Sequence, residues 1–267
     1  MLNHYHKITQ LFNKEKVRVI IASGQAVVLH NLAIMSKDCD WIIREDNESF
    51  EYVLHALSTL NAKYRFGAPL SLDWHKEGWS SHFEIYEGEF RLRLDFFSRP
   101  PRISHQELLL LWDNYLLKNN LPYIDKKLLI KQKLTDRLKD YAVIGEIVRT
   151  INDEMLILQF SQSASDILKT INNNEELIKK LIAIRPVMSS VNFNSQEIEL
   201  EIRLAIEKER YELMKENLRR IESYRKAAKN WSLMWPTICN TINTLNLLEA
   251  HKLIVSKAND ILPKKIA

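Results

Sequence analysis

The chain has 267 residues, 46% of them hydrophobic and 27% charged, with 38 Lys and Arg against 34 Asp and Glu. Five glycines, seven prolines and two cysteines exclude collagen-like, low-complexity and disulfide-framework classes, and no run is long enough to span a bilayer. A net charge of +4 fits a phosphate-bearing partner without requiring one.

Cys39 and Cys239 are far apart and form no Cys-x-x-Cys pair, which points to a reducing compartment. The opening Met-Leu-Asn-His-Tyr-His lacks the apolar run of a secretory leader. The expectation is a cytoplasmic protein with no membrane partner.

Along the chain, the β-branched run Val17–Ala22 predicts a strand, followed by a Ser23-Gly24 turn and a helix from Gln25 to about Leu32. Trp41-Ile42-Ile43 predicts a second strand. Phe50, Val53, Leu54, Leu57 and Leu60 recur at helical spacing, with Asn47 placed to cap that helix. Ser71–His75 predicts another strand, and His82–Tyr86 and Phe90–Phe97 predict two more, joined at Glu87-Gly88-Glu89. In the last of these Phe90, Leu92, Leu94 and Phe96 alternate with Arg91, Arg93 and Asp95. A period of two places Asp95 on the face opposite the apolar row. Pro100-Pro101 ends it, and from Ser104 the pattern is helical, notably over Lys126–Leu134 and Leu138–Ile151.

Beyond residue 150 strand signals vanish. Helices are predicted over 163–185, 196–229, 231–245 and 246–262, with Pro186 and Pro236 as punctuation and Asn172-Asn173-Asn174 as a turn. The predicted fold class is α+β: a mixed sheet flanked by helices over 1–150, then an all-helical bundle over 151–267.

Asp38-Cys39-Asp40 carries the chemistry. If this segment is strand, residues two apart point the same way, so both carboxylates share one side. Asp95 on a neighbouring strand supplies a third. Hard oxygen donors converging on one spot suit magnesium, and nucleotidyl transfer works through two such ions. Upstream, a strand running through Ser23-Gly24 into a helix offers backbone N–H groups to a triphosphate.

The arrangement Ile21-Ala22-Ser23-Gly24, then residues 25–37, then Asp38-Cys39-Asp40-Trp41, with a later Leu94-Asp95-Phe96-Phe97, resembles the DNA polymerase beta nucleotidyltransferase superfamily. Within it, Lys133-Leu134-Thr135-Asp136-Arg137-Leu138-Lys139-Asp140 is similar to a segment of the bacterial abortive-infection (AbiE-type) toxins of toxin–antitoxin pairs. The resemblance covers roughly residues 15–150. It implies a nucleotidyltransferase fold and an NTP donor with two Mg2+ on Asp38, Asp40 and Asp95, these acids being catalytic. It also implies that Ser23, Gly24, Lys133 and Arg137 hold the nucleotide phosphates, with Asp140 orienting the two basic groups. Ser23 stands where the family has a first glycine. The acceptor class, RNA, protein or small molecule, stays open, and an antitoxin is an implied protein partner.

Plainer readings stand beside these. Arg91 and Arg93 read as a solvated strand face, and Lys131 as a polar helix face. His4 with His6, and His75 with His82, lack a third ligand at metal spacing and read as surface or packing residues. Trp74, Trp79 and Phe83 read as packing, and Trp231 and Trp235 as bundle core. The mixed charges of 203–229 read as a solvated helix, within which Arg219-Arg220 and Arg225-Lys226 are the part suited to an RNA backbone. Two alternatives to a toxin-like enzyme are a non-catalytic nucleotide- or RNA-binding protein on the same frame and an antibiotic-type small-molecule nucleotidyltransferase.

Overall fold

The computed structural model describes residues 2–114 and 121–266. Among them are five strands: β1 Val19–Ala22, β2 Asp38–Ile43, β3 Lys63–Gly67, β4 Ser80–Glu87 and β5 Phe90–Phe97. The helices are α1 Leu2–Phe12, α2 Ser23–Leu29, α3 Asn47–Thr59, α4 Leu72–His75, α5 His105–Asn114, α6 Lys126–Lys133, α7 Leu138–Arg149, α8 Glu154–Phe160, α9 Ala164–Ile171, α10 Glu175–Ile184, α11 Ile198–Ala227, α12 Lys229–Ile242 and α13 Leu247–Ile261. The fold is α+β. No helix of the described residues is long and apolar enough to cross a membrane.

The strands form one sheet in the order β1-β2-β5-β4-β3, with β2 and β5 parallel and every other pair antiparallel. Side-chain alternation places the buried row on one face of the sheet. Cys39 and Trp41 on β2 stand opposite Leu94 and Phe96 on β5, and all four are buried. Phe12 of α1 packs edge-on against both Trp41 and Phe96, at 5.6 Å in each case, and Trp41 stacks on Phe96 at 5.3 Å. A one-residue slip would turn this row out to solvent, so burial of the aromatics sets the register.

The chain groups into two compact units, Met1–Asp125 with Glu222–Ala267, and Lys126–Ile221. This differs from a boundary near 150 followed by one bundle over 151–267. In the first unit α12 and α13 pack on β3. Trp231 Nε1 donates to the Gly67 carbonyl at 3.0 Å, Trp235 meets Phe66 edge-on, and the Tyr64 hydroxyl bonds His251 Nδ1 at 2.7 Å. Those two tryptophans therefore cover the sheet rather than fill a separate bundle. The second unit is helical, with a core of Leu158, Ile167, Ile171, Leu181, Met188 and Ile202. Arg185 is buried there against Glu209, its Nη2 2.5 Å from the carboxylate, while its Nη1 donates to the Ser161 carbonyl.

Several local expectations change. Ser71–His75 is helical over α4 rather than a strand: the His75 and Lys76 N–H groups donate back to the Ser71 and Leu72 carbonyls at 3.1 and 3.0 Å. β3 was not expected: it is short, bulged at Tyr64/Phe66 and interrupted by Lys63 and Arg65. The helices α1 and α8 were not expected either. The stretch 163–185 is two helices, separated where Asn172 and Asn173 adopt positive φ. Asp46, not Asn47, caps α3, its side chain accepting from the Ser49 N–H. Pro236 lies inside α12 rather than ending a helix. The carbonyl its missing N–H leaves unpaired belongs to exposed Ser232, which water can reach.

Candidate active site

Asp40 and Asp95 are direct partners in the parallel β2–β5 ladder, and Asp38 pairs with Arg93 two residues earlier. All lie on the face opposite Cys39, Trp41, Leu94 and Phe96, and all are half-buried while those four are buried. Ala22, the last residue of β1, pairs with Asp40. The Ser23-Gly24 turn therefore leaves the sheet beside this acid pair. The sheet brings Asp38, Asp40, Asp95, Ser23 and Gly24 to one region.

Ser23 has φ of 49°, in the left-handed region that favours glycine. Glycine adopts this conformation freely, and serine occupies it at some strain. Gly24 needs its missing side chain for packing: a Cβ would collide with Ser36 Oγ and lie 3.1 Å from Ser36 Cβ. Ser36 is itself tied down, with its hydroxyl donating to the Asp38 carbonyl at 3.0 Å and its carbonyl accepting from Gln25 Nε2 at 3.1 Å. The turn and the first acid are thus coupled through one serine.

Basic groups meet the acids. Asp95 Oδ1 lies 2.7 Å from Arg65 Nη2 and 2.8 Å from His82 Nδ1, and Asp38 Oδ1 lies 3.5 Å from Arg93 Nη1. His82 Nε2 in turn meets Ser80 Oγ at 3.0 Å. Burial pushes the Asp95 carboxyl up, but His82 and Arg65 outweigh it and hold the group below the usual carboxylate range. Cys39, between the two acids in sequence, points into the core. Burial first, then Asp40 and Asp95, push its thiol well up, so it is no nucleophile. Among the described residues, no three His, Cys, Asp or Glu side chains converge closely enough to hold a metal ion.

Lys133 and Arg137 belong to the second unit and converge on Asp140. Lys133 Nζ is 3.1 Å from Asp140 Oδ1, Arg137 Nη2 is 2.7 Å from Oδ2, and Thr135 Oγ1 donates to Oδ2 at 2.6 Å. Burial pushes the Asp140 carboxyl up, while Thr135, Lys133 and Arg137 together bring it below its ordinary value. Lys133 is buried and Arg137 is exposed, so Asp140 orients one cation inside and one at the surface.

Sequence reasoning missed Arg65 and His82. Arg65 sits on the unexpected strand β3. His82 was legible from hairpin arithmetic: Glu87 pairs with Phe90 across the Gly88-Glu89 turn, and counting back places His82 opposite Asp95. Arg91 binds Glu84 on the neighbouring strand, as a solvated face does. Trp74, Trp79 and Phe83 are buried packing residues, with Trp79 Nε1 shared between the carbonyls of Pro263 and Lys264 at 3.1 Å. Of the histidine pairs, His4 meets Glu87, while His75 is buried with Nε2 2.8 Å from Ser81 Oγ.

No family model matches the chain, and no curated protein matches it. Two solved structures resemble it weakly. A provisionally assigned nucleotidyltransferase from H. pylori is 13% identical with a TM-score of 0.38, over 79% of this chain and 95% of that one. JHP933 from Helicobacter pylori is 12% identical with a TM-score of 0.39, over 84% of this chain and 97% of that one. At scores this low, neither likeness bears on this chain's chemistry.

Proposed function

We propose that the protein is a magnesium-dependent nucleotidyltransferase that moves an NMP group from an NTP to an acceptor. The observation carrying this reading is the in-register pair Asp40–Asp95 on parallel strands, with Asp38 on the same face and the Ser23-Gly24 turn beside it. The donor set fits magnesium in kind, being three carboxylates on a half-buried face. Asp38, Asp40 and Asp95 would hold the ions once their side chains turn toward one point. When bound, the ions supply activation of the acceptor oxygen and charge stabilisation on the departing pyrophosphate.

The chain's own part is placement. Arg65 and His82 hold Asp95 ionised and fixed at Oδ1. Gly24 and Ser23 shape the turn that receives the triphosphate. The acceptor hydroxyl would release its proton to solvent, its oxygen would bond the α-phosphorus as the α–β phosphoanhydride bond breaks, and pyrophosphate would leave.

A second reading has its own support. Arg65, His82 and Arg93 lie against the acids and no metal-type cluster is formed among the described residues, which suits a frame that binds nucleotide or RNA without turnover. Labelled NTPs with magnesium and total RNA or protein separate the two. Label transfer that is lost in folded Asp38→Ala and Asp95→Ala supports the enzyme, and equal transfer in those variants contradicts it.

Within the enzyme reading, the AbiE-type resemblance favours a toxin with an antitoxin partner and an RNA acceptor as one option. Growth arrest on expression, relieved by Asp38→Ala, supports that. Transfer onto an aminoglycoside without growth arrest supports the antibiotic-type enzyme instead.

A further inference from the structure

Within residues 198–221, α11 has two opposed faces. Ile202, Ala205, Ile206 and Asn217 are buried, whereas Leu200, Leu204, Tyr211 and Leu218 are 47%, 56%, 64% and 54% exposed. At 3.6 residues per turn these four fall within about 40° of one another, a row about 27 Å long. Single exposed apolar residues are ordinary, but four aligned along one helix face, with half-buried Met214 beside them, mark an interface.

We infer that this row pairs antiparallel with α11 of a second copy of the chain. The row is self-complementary, as a two-fold interface requires. About one two-fold axis, Leu200 faces Leu218 of the other copy, Leu204 faces Met214, and the Tyr211 hydroxyl is placed to donate to Glu207. Each of these contacts occurs twice. On the flank Glu201 faces Lys215, also twice, the Glu201 carboxylate already accepting the Asn192 N–H. A parallel pair would instead set Arg203 against Lys208 and Arg210 against Lys215, all like charges.

The antiparallel pair brings two cations near their own copies. Arg210 lies toward the Tyr141 ring of its own unit, 5.9 Å from the centroid, which turns it from the seam. Lys208 stays at the solvated rim, where a like-charge contact costs little. The inference does not depend on the proposed chemistry.

Sedimentation equilibrium of the full chain is expected to show a dimer at micromolar concentration. Leu204→Glu and Leu218→Glu should each weaken it at least about tenfold, a change of about 1.4 kcal/mol, with an unchanged circular dichroism spectrum because both positions are exposed. Glu201→Lys or Lys215→Glu alone should weaken it, and the two together should restore it. In a Cys239→Ser background, Leu200→Cys chains mixed with Leu218→Cys chains should cross-link to each other. Self-cross-linking of Leu218→Cys alone would show a parallel pair and overturn the inference. A monomer at every concentration overturns it too. So does a monomer that floats on anionic vesicles or binds a synthetic leucine-zipper peptide with glutamate flanks.

Discussion

Asp40 on β2 and Asp95 on β5 are partners in the parallel ladder, while their neighbours Trp41 and Phe96 stack on the opposite face at 5.3 Å. Adjacent strands lie about 4.8 Å apart, so two carboxylates at paired positions repel when ionised. The aromatic stack and the buried row around it set the register from beneath. Arg65 and His82 offset the repulsion from above by binding Asp95. The sheet thus tolerates the acid pair because two basic side chains bind Asp95.

Replacing Asp95 tests that balance. Asp95→Ala leaves Arg65 and His82 without their acceptor and should lower stability by about 1–3 kcal/mol in urea unfolding. Asp95→Asn keeps an accepting oxygen and should cost less. A fully stable alanine variant would show that the two basic residues do not need this carboxylate.

The Lys133–Asp140 pair predicts a larger effect. Side-chain exposures of 10% and 3% mean that Asp140→Ala strands a nearly buried cation. The expected loss is about 3–5 kcal/mol. Arg137 is 53% exposed, so Arg137→Ala should change stability by less than about 1 kcal/mol. Urea denaturation of both variants measures the contrast, and equal losses would contradict it.

Gly24→Ala should destabilise by about 1–3 kcal/mol, because the added methyl collides with Ser36. Ser36→Gly in the same chain should recover part of that loss in thermal unfolding. Failure of the second change to help would mean that the strain lies elsewhere in the turn.

How much of this was legible follows from what each residue packs against. The Asp95 alternation and the Asp38–Asp40 spacing were readable because a two-residue period shows wherever one face is buried. The α+β class was readable for the same reason. Arg65 was not, since β3 is short, bulged and half polar and carries no periodic signal. The grouping of α12 and α13 with the sheet was hidden too. Helical periodicity shows that Trp231 and Trp235 face a core, but not that this core includes Gly67 and Phe66 of a strand far back in sequence.

Two histidines, His75 buried and His251 half-buried, make stability pH-dependent. Burial lowers His75 to about 3 and His251 to about 4, and the His75 Nδ1 atom has no partner. Unfolded histidine titrates near about 6.5. Below that value the unfolded chain takes up protons that the folded one refuses. Stability is therefore complete above about pH 6.5 and falls as pH drops toward 4, by up to about 1.4 kcal/mol per pH unit for each ring. Urea midpoints between pH 7.5 and 4.5 measure it, and His251→Asn should flatten the slope. A slope unchanged in that variant would contradict the assignment.

The proposed nucleotidyl transfer requires Asp38, Asp40 and Asp95 to hold divalent cations beside a nucleotide. Calorimetric titration of a non-hydrolysable NTP into the full chain, with magnesium and with EDTA, tests it most directly. Magnesium-dependent binding, weakened at least about tenfold in Asp40→Asn and Asp95→Asn, is the predicted result. NTP binding of equal strength with EDTA, or undiminished in both variants, would contradict it.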